Sequence, residues 1–303
     1  METLARRFLL FLARSKRMAR FMYKYGMRVG AGRFVAGQTL EEAVERVKQL
    51  NAMGILATLD HLGESITHRS EAEEAAAECV KILDAIKQSG VNSNLSLKLT
   101  QLGLDIDQDL SVRNMEMILG TALKYNNFVR IDMEDSAHCQ VTVDIFRRLK
   151  AEYDDHVGLV VQSYLYRTMD DVKDLSTNLR IVKGAYREPK EVAFPLKHDV
   201  DENYVKLVEA NLKMGNYTAV ATHDERIIER TLDFVKREGI PGNLFEFQML
   251  YGIRTGLQKQ LIEKGYRVRV YVPYGQDWYP YFMRRLAERP ANVWFLVKNF
   301  FRK

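Results

Sequence analysis

The sequence predicts a single (β/α)8 barrel of the α/β class, and three observations predict it. From residue 51 onward, eight short apolar runs alternate with longer segments of helical period. No Pro/Gly-rich linker divides the chain, which has 6 prolines in 303 residues. Charged or hydrogen-bonding residues stand at the end of nearly every run, where a barrel of this kind builds its active site. A doubly wound open sheet is the rival, and it would carry G-x-G-x-x-G after an early strand. The nearest segment, Gly30-Ala31-Gly32, has the wrong spacing and follows no strand, so it reads as a loop.

Taken in order, residues 1–50 form a basic N-terminal helical arm and residues 51–303 the barrel. The final helix of the barrel covers the active site. Nine Lys/Arg and one acid, Glu2, fall within residues 1–33, although the whole chain has a net charge of only +5. The remainder is therefore slightly acidic. The apolar run Phe8–Ala13 is too short to span a bilayer, which needs about 20 residues, and no cleavage pattern follows it. Such an arm reads as a helix docked with a solvated basic face, or as one drawn to anionic lipid. No zinc-finger or RNA-motif signature accompanies the charge, so nucleic acid is not an expected partner.

The eight strands are expected at Ile55–Leu59, Leu95–Leu99, Phe128–Met133, Val157–Val161, Leu179–Val182, Tyr217–Ala221, Leu244–Met249 and Val268–Val272. Runs of this length and apolarity suit strands buried on both faces. Between them, Cys79, Leu83 and Ile86 share a helical face in 71–89. Val205, Val208 and Leu212 do so in 201–214, as do Ile228, Leu232 and Val235 in 224–238. Gly90, Gly239 and Gly265 each follow a basic turn, the usual helix stop.

The residues closing these strands include Asp60 and Glu64 after the first, Lys98 after the second, and Asp132 and Glu134 after the third. Gln162 closes the fourth, Arg180 and Lys183 mark the fifth, and Thr222-His223 the sixth. Glu246-Phe247-Gln248 lies in the seventh, Tyr271 in the eighth, and Arg284-Arg285 in the last helix. Charges in buried strands are costly unless paired or binding a ligand. Five cations among them (Lys98, Arg180, Lys183, Arg284 and Arg285) point to an anionic ligand, with Asp60, Glu64, Asp132 and Glu134 as balance. Other chemistries lack their parts. The six histidines show no zinc spacing, so no metal is expected. Cys79 and Cys139 cannot frame disulfides, which suits a reducing compartment. G-x-S-x-G and Walker A motifs are absent. From barrel logic alone, a lyase using Lys98 or Lys183 as a Schiff-base nucleophile rivals a redox enzyme.

The motifs then become specific. Arg180–Tyr186 (RIVKGAY), Phe245–Gln248 (FEFQ) and Tyr281–Arg285 (YFMRR), with Ser96–Leu99, Ile131–Glu134, Val161-Gln162, Thr222-His223 and Tyr271–Gly275, resemble the proline dehydrogenases of the short monofunctional bacterial type. The resemblance covers 51–303. It implies a distorted TIM-type barrel that binds FAD, oxidises L-proline to Δ1-pyrroline-5-carboxylate by hydride transfer from C5 to flavin N5, and passes electrons to a quinone. It also implies roles. Lys98, Arg284 and Arg285 would hold the proline carboxylate, Tyr271 and Tyr281 would pack on the ring, and Tyr186 would close the pocket. Gln162, Arg180, Lys183, Gly184, Ala185, Thr222 and His223 would contact the flavin. Asp132 with Arg180 would form the catalytic centre, and Glu64 would pair with Arg284 as a gate. A cytoplasmic enzyme at the inner face of the membrane is expected, touching lipid through residues 1–33, with a pyrroline-5-carboxylate dehydrogenase as a further partner.

Overall fold

The computed structural model describes residues 22, 23, 26, 30–63 and 66–288. Most of the basic arm, and Glu64 with its expected gate, therefore lie outside the described residues. Eight parallel strands close into a barrel in sequence order, from β1 to β8 and back. They are β1 (Leu56–His61), β2 (Ser93–Leu97), β3 (Val129–Ile131), β4 (Val157–Gln162), β5 (Leu179–Val182), β6 (Thr218–Ala221), β7 (Phe245–Leu250) and β8 (Val268–Tyr274). Closure is made by β1 against β8, with Leu56 opposite Arg269 and Asp60 opposite Pro273.

Described helices α1 (Leu40–Ala52), α2 (Arg69–Ser89), α3 (Gln108–Lys124), α4 (Cys139–Tyr153), α5 (Thr168–Leu175), α6 (Lys197–Lys213), α7 (Glu225–Glu238), α8 (Thr255–Glu263) and α9 (Trp278–Glu288) follow the chain. The boundary expected at residue 50 falls inside α1, which packs on β1 and β8. Gly90 and Gly239 cap α2 and α7 in the left-handed conformation, as their sequence positions predict. Gly265 also has positive φ, but α8 ends at Glu263 and its cap is Lys264. Gly30-Ala31-Gly32 is part of a 3-10 turn, Ala31–Arg33, rather than an irregular loop.

The apolar core lies between sheet and helices. Leu59, Leu97, Ile131, Leu159, Ile181, Val220, Phe247 and Val270 face Val47, Ile82, Ile118, Phe146, Leu207 and Phe234 in one cluster. The inside of the barrel is different. Strand side chains alternate by side, and the inward set here is largely polar. It includes Thr58, Ser96, Arg130, Arg180, Glu246, Gln248 and Arg269. Arg130, Glu246 and Arg269 therefore belong to the lower, N-terminal half of the lumen and not to the strand ends. Arg130 fits because Gly158 faces it; a Cβ there would stand 2.5 Å from Arg130 Nη1.

A second cluster joins Ala31, Phe34, Val35 and Leu62 to Trp278, Tyr279, Phe282 and Leu286. The Phe34 and Phe282 rings lie 6.0 Å apart and the Trp278 and Phe282 rings 5.7 Å apart. Ala36 N donates to Pro273 O at 2.9 Å and Gly275 N to Gly37 O at 3.1 Å. Residues 31–37 thus fasten α9 over the C-terminal end of the barrel. No described helix is long and apolar enough to cross a membrane.

Candidate active site

A cavity of about 850 Å³ opens at the C-terminal ends of the strands. Lys98, Asp132, Gln162, Arg180, Lys183, Gly184, Ala185, Tyr186, Thr222, His223, Tyr271, Tyr281, Arg284 and Arg285 all line it. The described residues to which the resemblance assigns a role therefore meet in one place. Glu134, expected to balance their charge, does not join them. Its carboxylate accepts from Thr100 N at 3.1 Å and Thr100 Oγ at 2.6 Å, so it holds the loop after β2 rather than balancing a cation in the cavity. Burial pushes its carboxyl upward despite those bonds. Gln101, donating to His61 O and Gly63 O and accepting from Lys98 N, fixes the same loop and with it Lys98.

Asp132 is the centre of the cavity floor. It follows β3 directly, its N donating to Leu97 O at 2.8 Å. One carboxylate oxygen accepts from Ser96 Oγ and Arg180 Nη1, both at 2.8 Å. The other accepts from the Tyr271 hydroxyl at 2.8 Å, with Lys98 Nζ at 3.6 Å. Burial opposes ionisation of this carboxyl, yet Lys98 and Arg180, helped by Ser96 and Tyr271, hold it below the ordinary carboxylate range. Burial and the Asp132 charge push the Tyr271 phenol well above its usual value, so it stays a donor. The Arg180 guanidinium lies 5.4 Å from the centre of the Tyr271 ring. Lys98 also faces Asp60 at 3.9 Å.

The opposite wall is built differently. Lys183 Nζ donates to Asp201 at 2.6 Å and Asp224 at 2.9 Å, and Lys197 reaches the same two carboxylates. Leu250 N donates to His223 Nε2 at 2.9 Å, which makes this imidazole neutral with its proton on Nδ1. Two carboxylates flank Lys98 and two engage Lys183, whereas a Schiff-base lysine is activated by apolar burial or a neighbouring cation. The lyase reading loses its nucleophile. The cysteines are equally unsuited. Burial pushes the Cys79 thiol up to about 12 and the Cys139 thiol up to about 11.

Gly184 has φ +110, and a Cβ there would stand 2.3 Å from the Tyr164 ring. Its close approach is to a buried aromatic as well as to the cavity. Gly184→Ala is expected to lower Tm by roughly 5–10 °C through overpacking and strain. Thermal denaturation checks it; a Tm within about 1 °C of wild type would refute the Tyr164 contact as the cause.

The residues missed from sequence are Arg254, Lys197 and Arg226, while Gln248 and Asp224 stand among the polar strand ends without a role; all five line the cavity. Gln248 lies within a quoted motif but has no role assigned from it. Arg254 sits in the left-handed region at φ +55 before α8 and pairs with Glu225; nothing local in the sequence announces it. Among the described residues, no group of three or more His, Cys, Asp or Glu could hold a metal ion.

Comparison with known proteins supplies the family. The model of the family described as proline dehydrogenase matches residues 43–298. Proline dehydrogenase 1 of Bacillus subtilis (strain 168) is 50% identical over 297 residues, covering 97% of this chain and 98% of that protein. The proline dehydrogenase of Deinococcus radiodurans is 49% identical over 276 residues, covering 89% of each. Among solved structures, proline utilization A (PutA) from Bdellovibrio bacteriovorus, inactivated by N-propargylglycine, superposes with a TM-score of 0.83 at 25% identity. That match covers 94% of this chain and 35% of the larger protein.

Proposed function

The chain belongs to the proline dehydrogenase family, and from that premise we propose that it oxidises L-proline to Δ1-pyrroline-5-carboxylate with FAD as cofactor and a quinone as electron acceptor. One observation supports the cofactor most directly. Arg180 Nη2 and Gln162 Oε1, a donor and an acceptor on the cavity wall, are buried with no hydrogen-bond partner among the described residues. Buried polar atoms are rarely left so, and a flavin ring presents both acceptors and an N–H donor along its edge. With Arg180 and Gln162, the residues Lys183, Gly184, Ala185, Thr222 and His223 would hold the cofactor. Bound there, FAD would take the hydride that leaves proline C5.

The protein's own part is positioning and charge. Lys98, Arg284 and Arg285 reach the cavity from the end of β2 and from α9, and would clamp the proline carboxylate. Tyr271 and Tyr281 would lie against the pyrrolidine ring, with Tyr186 at the rim, 40% exposed. Asp132 would keep Arg180 and Lys98 in place and balance their charge. Glu64 is proposed to pair with Arg284 over the bound substrate. The strongly basic residues 1–33, set against a slightly acidic remainder, support a contact with anionic lipid at the inner face of the membrane, where a quinone is found. The likeness to part of PutA supports a functional link with a pyrroline-5-carboxylate dehydrogenase.

The visible spectrum of the purified full-length chain tests the reading. We expect the bands of an oxidised flavin, bleached anaerobically by L-proline. A colourless protein, or one whose colour L-proline leaves unchanged, would overturn it.

A further inference from the structure

The Asp132 cluster does not end at Arg180. Arg180 Nε donates to Gln248 Oε1 at 2.6 Å, and Gln248 Nε2 donates to Glu246 Oε1 at 2.5 Å. The same Glu246 oxygen accepts from Arg269 Nε at 2.7 Å, and Arg269 Nη1 donates to Ala57 O at 2.8 Å. This chain of bonds descends from the cavity floor into the lower half of the lumen. Arg180, Gln248 and Glu246 are each 4% exposed or less.

We propose that Glu246 is a positioning residue for the reaction: through the Gln248 amide it fixes the orientation in which Arg180 meets Asp132 and the cavity. The argument is one of polarity. A guanidinium only donates and a carboxylate only accepts. Between Arg180 and Glu246, the Gln248 amide has one satisfactory orientation, its carbonyl toward Arg180 and its amino group toward Glu246. Arg180 is then held at both ends, by Gln248 at Nε and by Asp132 and Ser96 at Nη1. With methionine in place of Glu246, the Gln248 amino group and Arg269 Nε lose the one oxygen to which both donate, and nothing below holds the Gln248 carbonyl toward Arg180. Two buried donors are then left unpaired.

Charge favours the same assignment. Glu246 is the anion of the lower lumen, which also holds Arg269 and Arg130. Burial draws the Arg130 guanidinium down to about 9, with Arg180 adding to that effect and Glu246 opposing it. For Glu246 itself burial opposes ionisation, but Arg269 and Gln248 hold its carboxyl below the usual range.

The proposal rests on the reading of Arg180 as a group facing the flavin and substrate. Its test uses the full-length holoenzyme in four forms: wild type, Glu246→Met, Gln248→Met, and the conservative Glu246→Gln. In Glu246→Gln the amide oxygen can stand where the Glu246 oxygen stands and accept from both Gln248 and Arg269, so the support of Arg180 is kept while the charge is lost, at a cost in stability rather than in kcat. We expect the two methionine variants to lose about ten- to a hundredfold in kcat, the worth of one hydrogen bond to a charged group. Their KM for proline should stay within about threefold of wild type, because the carboxylate clamp is untouched. The ratio of oxidised to reduced flavin against a redox dye at equilibrium should shift by about tenfold in the same variants. Glu246→Gln should keep both readouts close to wild type.

Glu246→Gln as impaired in kcat as Glu246→Met, or methionine variants with wild-type kcat and dye equilibrium, would overturn the proposal. Should Glu246→Met fail to fold, Gln248→Met, which keeps the Glu246–Arg269 pair, carries the comparison with Glu246→Gln. Colourless wild type would defeat the flavin reading and the relay with it. Coloured wild type with indistinguishable variants would defeat the relay alone.

Discussion

Replacing Arg285 by methionine raises the Michaelis constant for L-proline by about two orders of magnitude while the cofactor stays bound. The size follows from losing one or two charge-assisted bonds to a carboxylate, each worth about 1.5–3 kcal/mol. Arg285 lines the cavity, its guanidinium 5.3 Å from the centre of the Tyr281 ring. A methionine keeps the contact with that ring and removes the charge. The helix itself should not move, because Trp278 and Phe282 anchor it against Phe34. Steady-state kinetics with a visible spectrum of the same sample read both halves of the expectation. An unchanged KM would remove Arg285 from the clamp.

Asp132→Asn is expected to cost stability and turnover together. The new side chain has the same shape but one acceptor oxygen in place of two. Whichever way it turns, an amino group meets either Arg180 and Ser96 or Tyr271 and Lys98, which are the groups now bonded to or facing the carboxylate. Removing one partner from a buried ion pair costs about 3–5 kcal/mol, or roughly 10 °C in Tm for a domain of this size. The acid side of the profile should change as well. A carboxyl whose folded pKa is depressed contributes its full stabilisation above the unfolded value, about 3.9. That contribution is lost as pH falls through the lower, folded value. Wild type should therefore lose stability steeply below about pH 4, and the asparagine variant less steeply. Melting curves at pH 7 and at steps toward pH 3 would show it. Parallel curves for the two proteins would count against Asp132 as a strongly ionised group.

The barrel was legible because its outer face is written in short apolar runs with polar breaks, such as Val157–Val161 and Leu179–Val182. Helix ends at Gly90 and Gly239 were legible for a related reason: only glycine takes the left-handed turn cheaply. The site was legible through residues whose chemistry is expensive to bury, Lys98, Asp132, Arg180 and the Arg284-Arg285 pair. What escaped was depth. Arg130, Glu246 and Arg269 alternate with apolar neighbours in the plainest strand pattern. Yet a charge within an apolar run looks the same in sequence whether it stands at the mouth or a layer below. Nor does spacing along the chain reveal that His138 bridges Asp135 and Asp105, at 2.6 and 2.7 Å. Burial opposes its protonation, but the two carboxylates outweigh this and raise its pKa. Residues 31–37 match no motif, and their value appears only when α9 is seen to rest on them.

The polar lumen has a consequence for how this protein can change. Where a barrel interior is filled with branched hydrocarbon, one residue can be exchanged for another of similar size at little cost. Here many of the inward side chains are matched to a neighbour by direction of donation and by sign, so the lumen accepts new sequences in concerted sets rather than singly. A random library should find its tolerated substitutions on the outer helices. Shuffled segments from relatives should combine well only when β5 and β7, which carry Arg180 and its Gln248-Glu246 support, come from the same parent.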